Sequence, residues 1–144
     1  MITGLDSNVL CYCLDPAYAE HGRLKNLLID LSSENRAAVN PTVIHEAYHA
    51  LVFGQKWVPA EARRRLGMVL RHPYIEFYNQ TRRVSEIALA LASRHGLGGR
   101  DSLIIANFLA YKVPIVLTGD RALLALGEIA WREATLKLRG PFGQ

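Results

Sequence analysis

The stretch GLGGRDSLIIANFLAYKVPIVLTGDRAL, residues 96–123, contains the pattern that decides the fold. Its glycine-rich start predicts a loop that leads into a helix, and the short apolar run PIVLT, residues 114–118, predicts a strand buried on both faces. Gly119 and Asp120 then open another short helix. A buried strand between two helices is typical of a parallel sheet that is covered by helices.

The same alternation of helix and strand extends towards both ends of the chain. Further strands are predicted at ITGLD (2–6), AAVN (37–40), YIEFY (74–78) and ATLKL (134–138). The predicted helices run from about Ser7 to Leu14, begin at Pro16, Pro41 and Pro59, or follow the cap Thr81 and stop at Gly96. We therefore expect one α/β domain over residues 1–144, with a mainly parallel sheet of about four to five strands flanked by helices.

The composition indicates a globular domain with a bias towards arginine. Of the 144 residues, 50% are hydrophobic, and the formal net charge is +4. Arginine provides 13 of the 17 basic residues, and its planar guanidinium suits phosphate recognition better than the ammonium of lysine does. This balance is compatible with an anionic partner such as a nucleic acid, although charge alone does not select one.

Cysteine usage and hydropathy predict a compartment. Cys11 and Cys13 are one residue apart, too close for an unstrained disulfide, so a reduced cytoplasmic environment is expected. The chain opens without a signal segment, because Asp6 interrupts its first apolar run. Residues 103–118 are the most apolar region, but polar residues and a proline interrupt it. No membrane span is therefore predicted.

Acidic side chains are predicted to gather at one edge of the sheet. Asp6 ends the first strand, Asp120 follows PIVLT, and Asp101 lies in the first turn of a helix. The carboxyl ends of parallel strands and the starts of helices face the same edge, where open sheets bind ligands. Taken singly, each aspartate is explained as a helix cap. Taken together, they form a cluster of like charge that a hard cation such as Mg²⁺ or Mn²⁺ would neutralise.

A fourth acid, Glu46, lies in VIHEAYHAL, residues 43–51. The apolar residues of this predicted helix share one face, which we expect to enter the core, and Glu46 and His49 lie on the opposite side. Glu46 is therefore free to enter a cleft at the acidic edge. A plain solvated helix face is equally consistent with this pattern.

The same segment matches the H-E-x-x-H zinc pattern through His45, Glu46 and His49. A catalytic zinc ion needs a third protein ligand. No histidine follows at the spacing of the extended pattern, and Glu61 is a possible third ligand without a supporting motif. A zinc metallopeptidase is thus an alternative, but it leaves the three aspartates unexplained.

The order and spacing of LDSNVL (5–10), VIHEAYHAL (43–51) and GGRDSLIIANFLAYKVPIVLTGDRAL (98–123) resemble the PIN-domain ribonucleases. The resemblance covers roughly residues 1–126 and is closest to the VapC-type toxins of toxin–antitoxin pairs. It implies a PIN-like three-layer α/β fold for the single domain. It also implies catalytic and metal-binding roles for four acids and supporting roles for Ser7 and Asn8; the acids are Asp6, Glu46, Asp101 and Asp120.

The function implied by this resemblance is the hydrolysis of RNA phosphodiester bonds by an endoribonuclease that depends on Mg²⁺ or Mn²⁺. The implied partners are the RNA substrate, a cognate antitoxin protein and a second copy of the chain in a homodimer. Arg100 and Arg121 directly neighbour two of the acids, so we expect them to contact RNA. Many family members carry a further acid where this chain has Ala122. Because of that departure, a non-catalytic binding module is one alternative function. A housekeeping RNA-processing nuclease is another.

Overall fold

The computed structural model describes residues 1–143 and contains a six-stranded sheet in the order β3-β2-β1-β4-β6-β5. The first five strands of that order pair in parallel, and β5 pairs with β6 in antiparallel fashion. The predicted mostly parallel α/β fold with three layers is thereby confirmed. The strands are β1 (Ile2–Leu5), β2 (Arg36–Val39), β3 (Ile75–Phe77), β4 (Ile115–Leu117), β5 (Glu128–Trp131) and β6 (Ala134–Arg139).

Helices occupy the connections between these strands, apart from the turn between β5 and β6. No helix within residues 1–143 is long and apolar enough to cross a membrane. A π-helical turn, Ala50–Gly54, continues the helix that carries Glu46. The α-helices are α1 (Ser7–Leu14), α2 (His21–Leu24), α3 (Asn26–Ile29), α4 (Pro41–His49), α5 (Pro59–Arg71), α6 (Arg82–His95), α7 (Gly99–Ala110) and α8 (Arg121–Leu126).

The helix boundaries follow the capping residues of the sequence. Asn40 caps α4, since its Oδ1 accepts from the backbone N–H of Val43 at 3.0 Å, and Pro41 occupies the first turn. Thr81 caps α6 in the same way. This helix ends at Gly96, whose φ of 67° lies in the left-handed region that glycine adopts without strain.

The single helix predicted from Pro16 is wrong. The chain first turns at residues 16–20, and the two short helices α2 and α3 follow. The cause is the preceding residue, because Oδ1 of Asp15 accepts from the backbone N–H of Ala17 at 2.9 Å and stabilises a turn. Gln55 Nε2 donates to the other oxygen of the same buried carboxylate at 3.1 Å.

Strand β5 is absent from the sequence-based prediction, which expected fewer strands. Its sequence EIAW contains one fully buried residue, Ile129, so its apolar pattern is too short to identify it. A tight turn joins β5 to β6, and Arg132 in this turn has a φ of 53°.

Close packing at the centre of the sheet positions α7. A Cβ atom on Gly4 of β1 would lie 2.9 Å from Val116 Cγ2 and 3.1 Å from ring atoms of Phe108 in α7. Only glycine allows this close approach, and Phe108 is fully buried against the strand. The contact fixes α7, and with it Asp101, relative to the end of β1.

Candidate active site

The candidate active site lies at the carboxyl edge of the central strands, as the acidic pattern of the sequence predicts. β1 and β4 are neighbours with Leu5 opposite Leu117, and the backbone N–H of Asp6 donates to the carbonyl of Leu117 at 3.0 Å. Asp6 therefore follows β1 at the level where β4 ends. Asp120 follows β4 three residues after Leu117 and begins the turn into α8.

Asp6 is the buried member of the site, with a relative exposure of only 3%. Its Oδ1 accepts from the backbone N–H of Ser7 at 2.7 Å, and its Oδ2 accepts from the hydroxyl of Thr118 at 2.7 Å. Burial raises the pKa of Asp6, the two hydrogen bonds oppose that rise, and the charges of Glu46 and Asp120 add to it. The carboxylate is thus held rigidly in a site that disfavours its ionisation.

Glu46 reaches the same edge from α4. Its helix buries the apolar side that contains Val43, Ile44 and Ala47, so the carboxylate points away from the core and its side chain is 19% exposed. The Ser7 hydroxyl donates to Oε1 at 3.1 Å. Arg100 Nε lies 3.3 Å from Oε2. Ser7 thus links Asp6 and Glu46, through its backbone N–H and its hydroxyl respectively.

Asp101 lies in the first turn of α7 and is partly buried. Burial raises its pKa, the charges of Asp120 and Asp6 raise it further, and the Arg100 guanidinium lowers it. These interactions show that Asp101 shares the electrostatic environment of the other acids. A carboxyl group with a raised pKa at a partly open edge is a suitable proton acceptor.

Asp120 caps α8. Its Oδ1 accepts from the backbone N–H groups of Ala122 at 2.8 Å and Leu123 at 3.1 Å. The predicted supporting residue Asn8 holds the same turn, because its Oδ1 accepts from the backbone N–H of Gly119 at 3.0 Å. The turn that presents Asp120 is therefore fixed from both α1 and α8.

Thr118 belongs to this site, and the sequence-based reasoning missed it. Its side chain is completely buried, donates to Oδ2 of Asp6 and accepts from the backbone N–H of Asp120 at 3.0 Å. It is the direct link between two of the acids. The available signal was a hydroxyl at the end of a buried strand, because a buried hydroxyl needs hydrogen-bond partners.

The donor set fits a hard divalent cation, although the carboxylates are engaged within the protein. Among residues 1–143, no three Asp, Glu, His or Cys side chains stand together as a ready-made ion site. Glu46 is held by Ser7 and Arg100, and Asp120 by the start of α8. The site still offers oxygen donors only, and a buried aspartate with two acidic neighbours. These are the ligands and the charge that Mg²⁺ and Mn²⁺ prefer.

Within residues 1–143, the zinc pattern on α4 has no third ligand. His45 and His49 are exposed and line a shallow groove with Glu46 and Arg100, and the ring of His49 packs on Phe53 with centroids 4.9 Å apart. Glu61, the possible third ligand, instead forms an ion pair with Arg64 at 2.6 Å. The two histidines are therefore placed as surface residues beside the acidic site.

The two arginines that the sequence predicts as RNA contacts are both exposed at this edge. Arg100 is 76% exposed although it pairs with Glu46, so it can exchange that partner for another anion. Arg121 follows Asp120 directly and lines a pocket beside it. Asp101 and Asp120 thus each have an arginine as their immediate neighbour in the chain.

Comparison with known proteins agrees with the fold described above. A sequence model described as the PIN domain matches residues 5–129. Similar solved structures include VapC20 of Mycobacterium tuberculosis, a sarcin-ricin loop cleaving toxin, with a TM-score of 0.73 and 16% identity over 87% of this chain and 95% of that one. VapBC2 of Rickettsia felis, bound to a promoter DNA fragment, has a TM-score of 0.62 and 17% identity over 96% and 98% of the respective chains.

A toxin–antitoxin complex from Klebsiella pneumoniae is a further structural neighbour. It has a TM-score of 0.56 and 14% identity over 82% of this chain and 86% of that chain. At these identities the likeness shows a shared fold. A search of curated protein sequences finds no match.

Proposed function

The chain belongs to the PIN domain family, and we propose that it is a divalent-metal-dependent endoribonuclease, the toxin of a type II toxin–antitoxin pair. One observation carries the proposal: acids from four separate elements converge at the carboxyl edge of the sheet. Asp6 follows β1, Glu46 lies on α4, Asp101 begins α7 and Asp120 begins α8. Burial raises the pKa values of Asp6 and Asp101, and the charges of the neighbouring acids raise them further, which is a cost that a structural role alone does not explain.

In this proposal Asp6, Glu46, Asp101 and Asp120 hold the Mg²⁺ or Mn²⁺ ion. When bound, such an ion polarises a phosphoryl oxygen and lowers the pKa of a bound water. Thr118 and Ser7 keep the Asp6 and Glu46 carboxylates in fixed orientations through hydrogen bonds of 2.7 and 3.1 Å. Preorganised acceptors need no rearrangement when substrate arrives.

Asp101 is the better candidate to accept the proton of the attacking water. Both oxygens of Asp6 already accept hydrogen bonds in the protein interior, whereas Asp101 is partly open to solvent, so a water molecule can reach its carboxylate. Attack of water on the phosphorus atom then breaks the bond to the 3′ oxygen. The products carry a 5′-phosphate and a 3′-hydroxyl, and a cyclic phosphate end would contradict this mechanism.

The substrate is RNA in this proposal, and cations at the rim bring it to the acids. Arg100 would contact a phosphate beside the scissile bond, and Arg121 would contact the RNA at the pocket that it lines. Arg100 releases Glu46 when it takes a phosphate, which leaves Oε2 of Glu46 free as a ligand. Substrate binding and assembly of the ion site would therefore be coupled through one side chain.

A cognate antitoxin and a second copy of the chain are the proposed protein partners. The π-helical turn after Glu46 presents Phe53, which is 61% exposed, and Val58 a few residues later is also exposed. A large exposed aromatic side chain next to a catalytic groove is typical of a covered surface. Two of the structural neighbours are described as VapBC2 or as a toxin–antitoxin complex, which supports the antitoxin but does not decide which surface it covers.

The test is cleavage of a mixed transfer and ribosomal RNA preparation by purified, partner-free protein in Mn²⁺. Wild type should cleave, and both EDTA and Asp101→Asn should abolish cleavage. Glu133→Gln, which removes a carboxylate from the exposed β5–β6 turn, is the matched control and should cleave like wild type. Equal cleavage by wild type and Asp101→Asn would refute the assigned site.

A growth assay separates the toxin from a housekeeping nuclease. Expression of the chain alone should arrest growth, and expression of Asp101→Asn should not. Normal growth on expression of a protein that cleaves RNA in the first assay would favour the housekeeping alternative.

A further inference from the structure

A pocket of about 300 Å³ adjoins the acidic site on the side of α1. Thr118, Gly119 and Arg121 form its wall towards the site, while Tyr12 and Phe142 contribute aromatic rings. Its volume is at the lower end of the range of small-ligand sites, ~300–1,000 Å³. Because Thr118 also binds Asp6, a group in this pocket would lie next to any phosphodiester held by the acids.

The aromatic walls of the pocket are held in place by neighbouring residues. The Tyr12 hydroxyl lies 3.6 Å from the position that a Cβ of Gly119 would take, and its ring meets Tyr18 edge-to-face with centroids 5.1 Å apart. The guanidinium of Arg23 lies 3.9 Å from the centroid of the Phe142 ring. Fixed aromatic surfaces of this kind favour the stacking of an unpaired base.

The pocket also contains one carboxylate and one guanidinium that are not paired with each other. Glu20 and Arg121 both line it, and no salt bridge within residues 1–143 involves either side chain. Burial raises the pKa of the Tyr12 phenol, and the nearby charge of Glu20 raises it further. The Tyr12 phenol is within hydrogen-bonding reach of Glu20, but a carboxylate has about four acceptor sites, so Glu20 can accept further hydrogen bonds from a ligand in the pocket that it lines.

We infer that this pocket binds one unpaired guanine base of the RNA, beside the phosphodiester that is cut; the inference rests on the proposed nuclease function. Guanine presents two adjacent donors, N1–H and the N2 amino group, which together match the two oxygens of a carboxylate such as Glu20. It also presents two acceptors, O6 and N7, which are the usual partners of an arginine such as Arg121. The aromatic rings supply the stacking surface.

The other three bases match this set of groups less well. Adenine and cytosine each offer the carboxylate one exocyclic amino group beside a ring nitrogen that only accepts. The lone pair of that ring nitrogen would face the second carboxylate oxygen, and the two acceptors would repel each other. Uracil offers a single N–H between two carbonyl oxygens. A site with a carboxylate and a guanidinium that form no salt bridge therefore discriminates by the groups left without partners as well as by those that are satisfied.

Part of this pocket lies beyond the residues that the sequence model of the PIN domain matches. The PIN domain match ends at residue 129, and Phe142 comes from the segment after β6. A specificity pocket completed by such a segment would differ from one relative to another while the acids stay the same. This arrangement suits enzymes that share one reaction and differ in the RNA they cut.

The test measures binding without cleavage. Fluorescein-labelled single-stranded heptaribonucleotides that are uridine except for a central G, A, C or U are titrated onto the Asp101→Asn protein, and affinity is read from anisotropy. We expect the G oligonucleotide to bind about tenfold more tightly than the other three, which is the scale of one good bidentate base contact. Equal binding of all four would overturn the inference.

Two variants in the Asp101→Asn background assign the preference to this pocket. Glu20→Gln should bring the affinity for the G oligonucleotide down to that of the uridine one, and Phe142→Ala should weaken the G oligonucleotide most. Glu133→Gln, the matched control outside the pocket, should keep the tenfold preference. A preference that survives Glu20→Gln would place guanine recognition elsewhere and overturn the assignment.

The binding assay and the cleavage assay can each give a negative result independently of the other. Cleavage of mixed RNA without any guanine preference would leave the nuclease proposal standing and remove the guanine pocket. Guanine preference without metal-dependent cleavage would leave the guanine pocket standing and remove the nuclease proposal.

Discussion

Thr118→Val tests whether the buried hydroxyl links the two central acids. Valine has nearly the shape of threonine but replaces the hydroxyl by a methyl group. The variant therefore removes the 2.7 Å bond to Asp6 Oδ2 and the 3.0 Å bond from the Asp120 N–H. Each buried group that is left unsatisfied costs about 1–3 kcal/mol, so for the two groups we expect a loss of about 2–6 kcal/mol in the free energy of unfolding.

The loss should depend on pH in a defined direction. The pKa of Asp6 is raised by burial and lowered by the Thr118 hydrogen bond, so Thr118→Val raises this pKa further. A carboxyl group whose folded pKa exceeds its unfolded value binds its proton more tightly in the folded state. Stability is therefore greatest at low pH and falls as the pH rises through the folded pKa. The variant should lose more stability at pH 8 than at pH 3, which lies below the ordinary pKa of an aspartate.

Urea denaturation in EDTA at the two pH values measures this effect. Thr118→Ser keeps the hydroxyl and should restore the pH dependence of wild type, apart from a constant loss for the missing methyl group. Thr135→Val, at an exposed position of β6, is the matched control and should change little. A loss in Thr118→Val that is identical at pH 3 and pH 8 would refute the proposed link and reduce Thr118 to a packing residue.

Three further predictions concern the acids, the sheet and the rim. Asp101→Asn should raise the melting temperature of the metal-free protein at pH 7 while it abolishes cleavage, because it removes a charge that burial and the nearby aspartates disfavour; a lower melting temperature in EDTA would contradict this. Gly4→Ala should lower the free energy of unfolding by about 1–3 kcal/mol through overpacking, since its Cβ would lie 2.9 Å from Val116. Gly22→Ala is the control in the same denaturation assay, because a Cβ there meets nothing within 4 Å. Arg100→Gln should reduce the slope of log K against log salt for single-stranded RNA by about 0.7; Lys137→Gln on β6 should leave the slope unchanged, and an unchanged slope in Arg100→Gln would exclude this residue from phosphate binding.

Local signals explain why the central elements were predictable from the sequence. Short apolar runs such as PIVLT are typical of strands in a parallel sheet that helices cover, and caps such as Asn40 and Thr81 set the helix starts. β5 escaped prediction because its place depends on pairing with β6 rather than on its own pattern. Thr118 and the pocket beside it escaped for a related reason, since hydrogen bonds and cavities between distant segments leave no periodic trace in the sequence.

Helix capping and ion binding are compatible roles for the aspartates of this site. In the structure Asp6 and Asp120 each use Oδ1 for the backbone N–H groups at the start of α1 or α8. A carboxylate has a second oxygen with further lone pairs, and for Asp6 this oxygen receives only the Thr118 hydroxyl. The capping bonds therefore fix the orientation of each carboxylate while capacity for a cation remains. An acid that caps a helix at the carboxyl edge of a parallel sheet is oriented for ligand binding by the same bond that stabilises the helix.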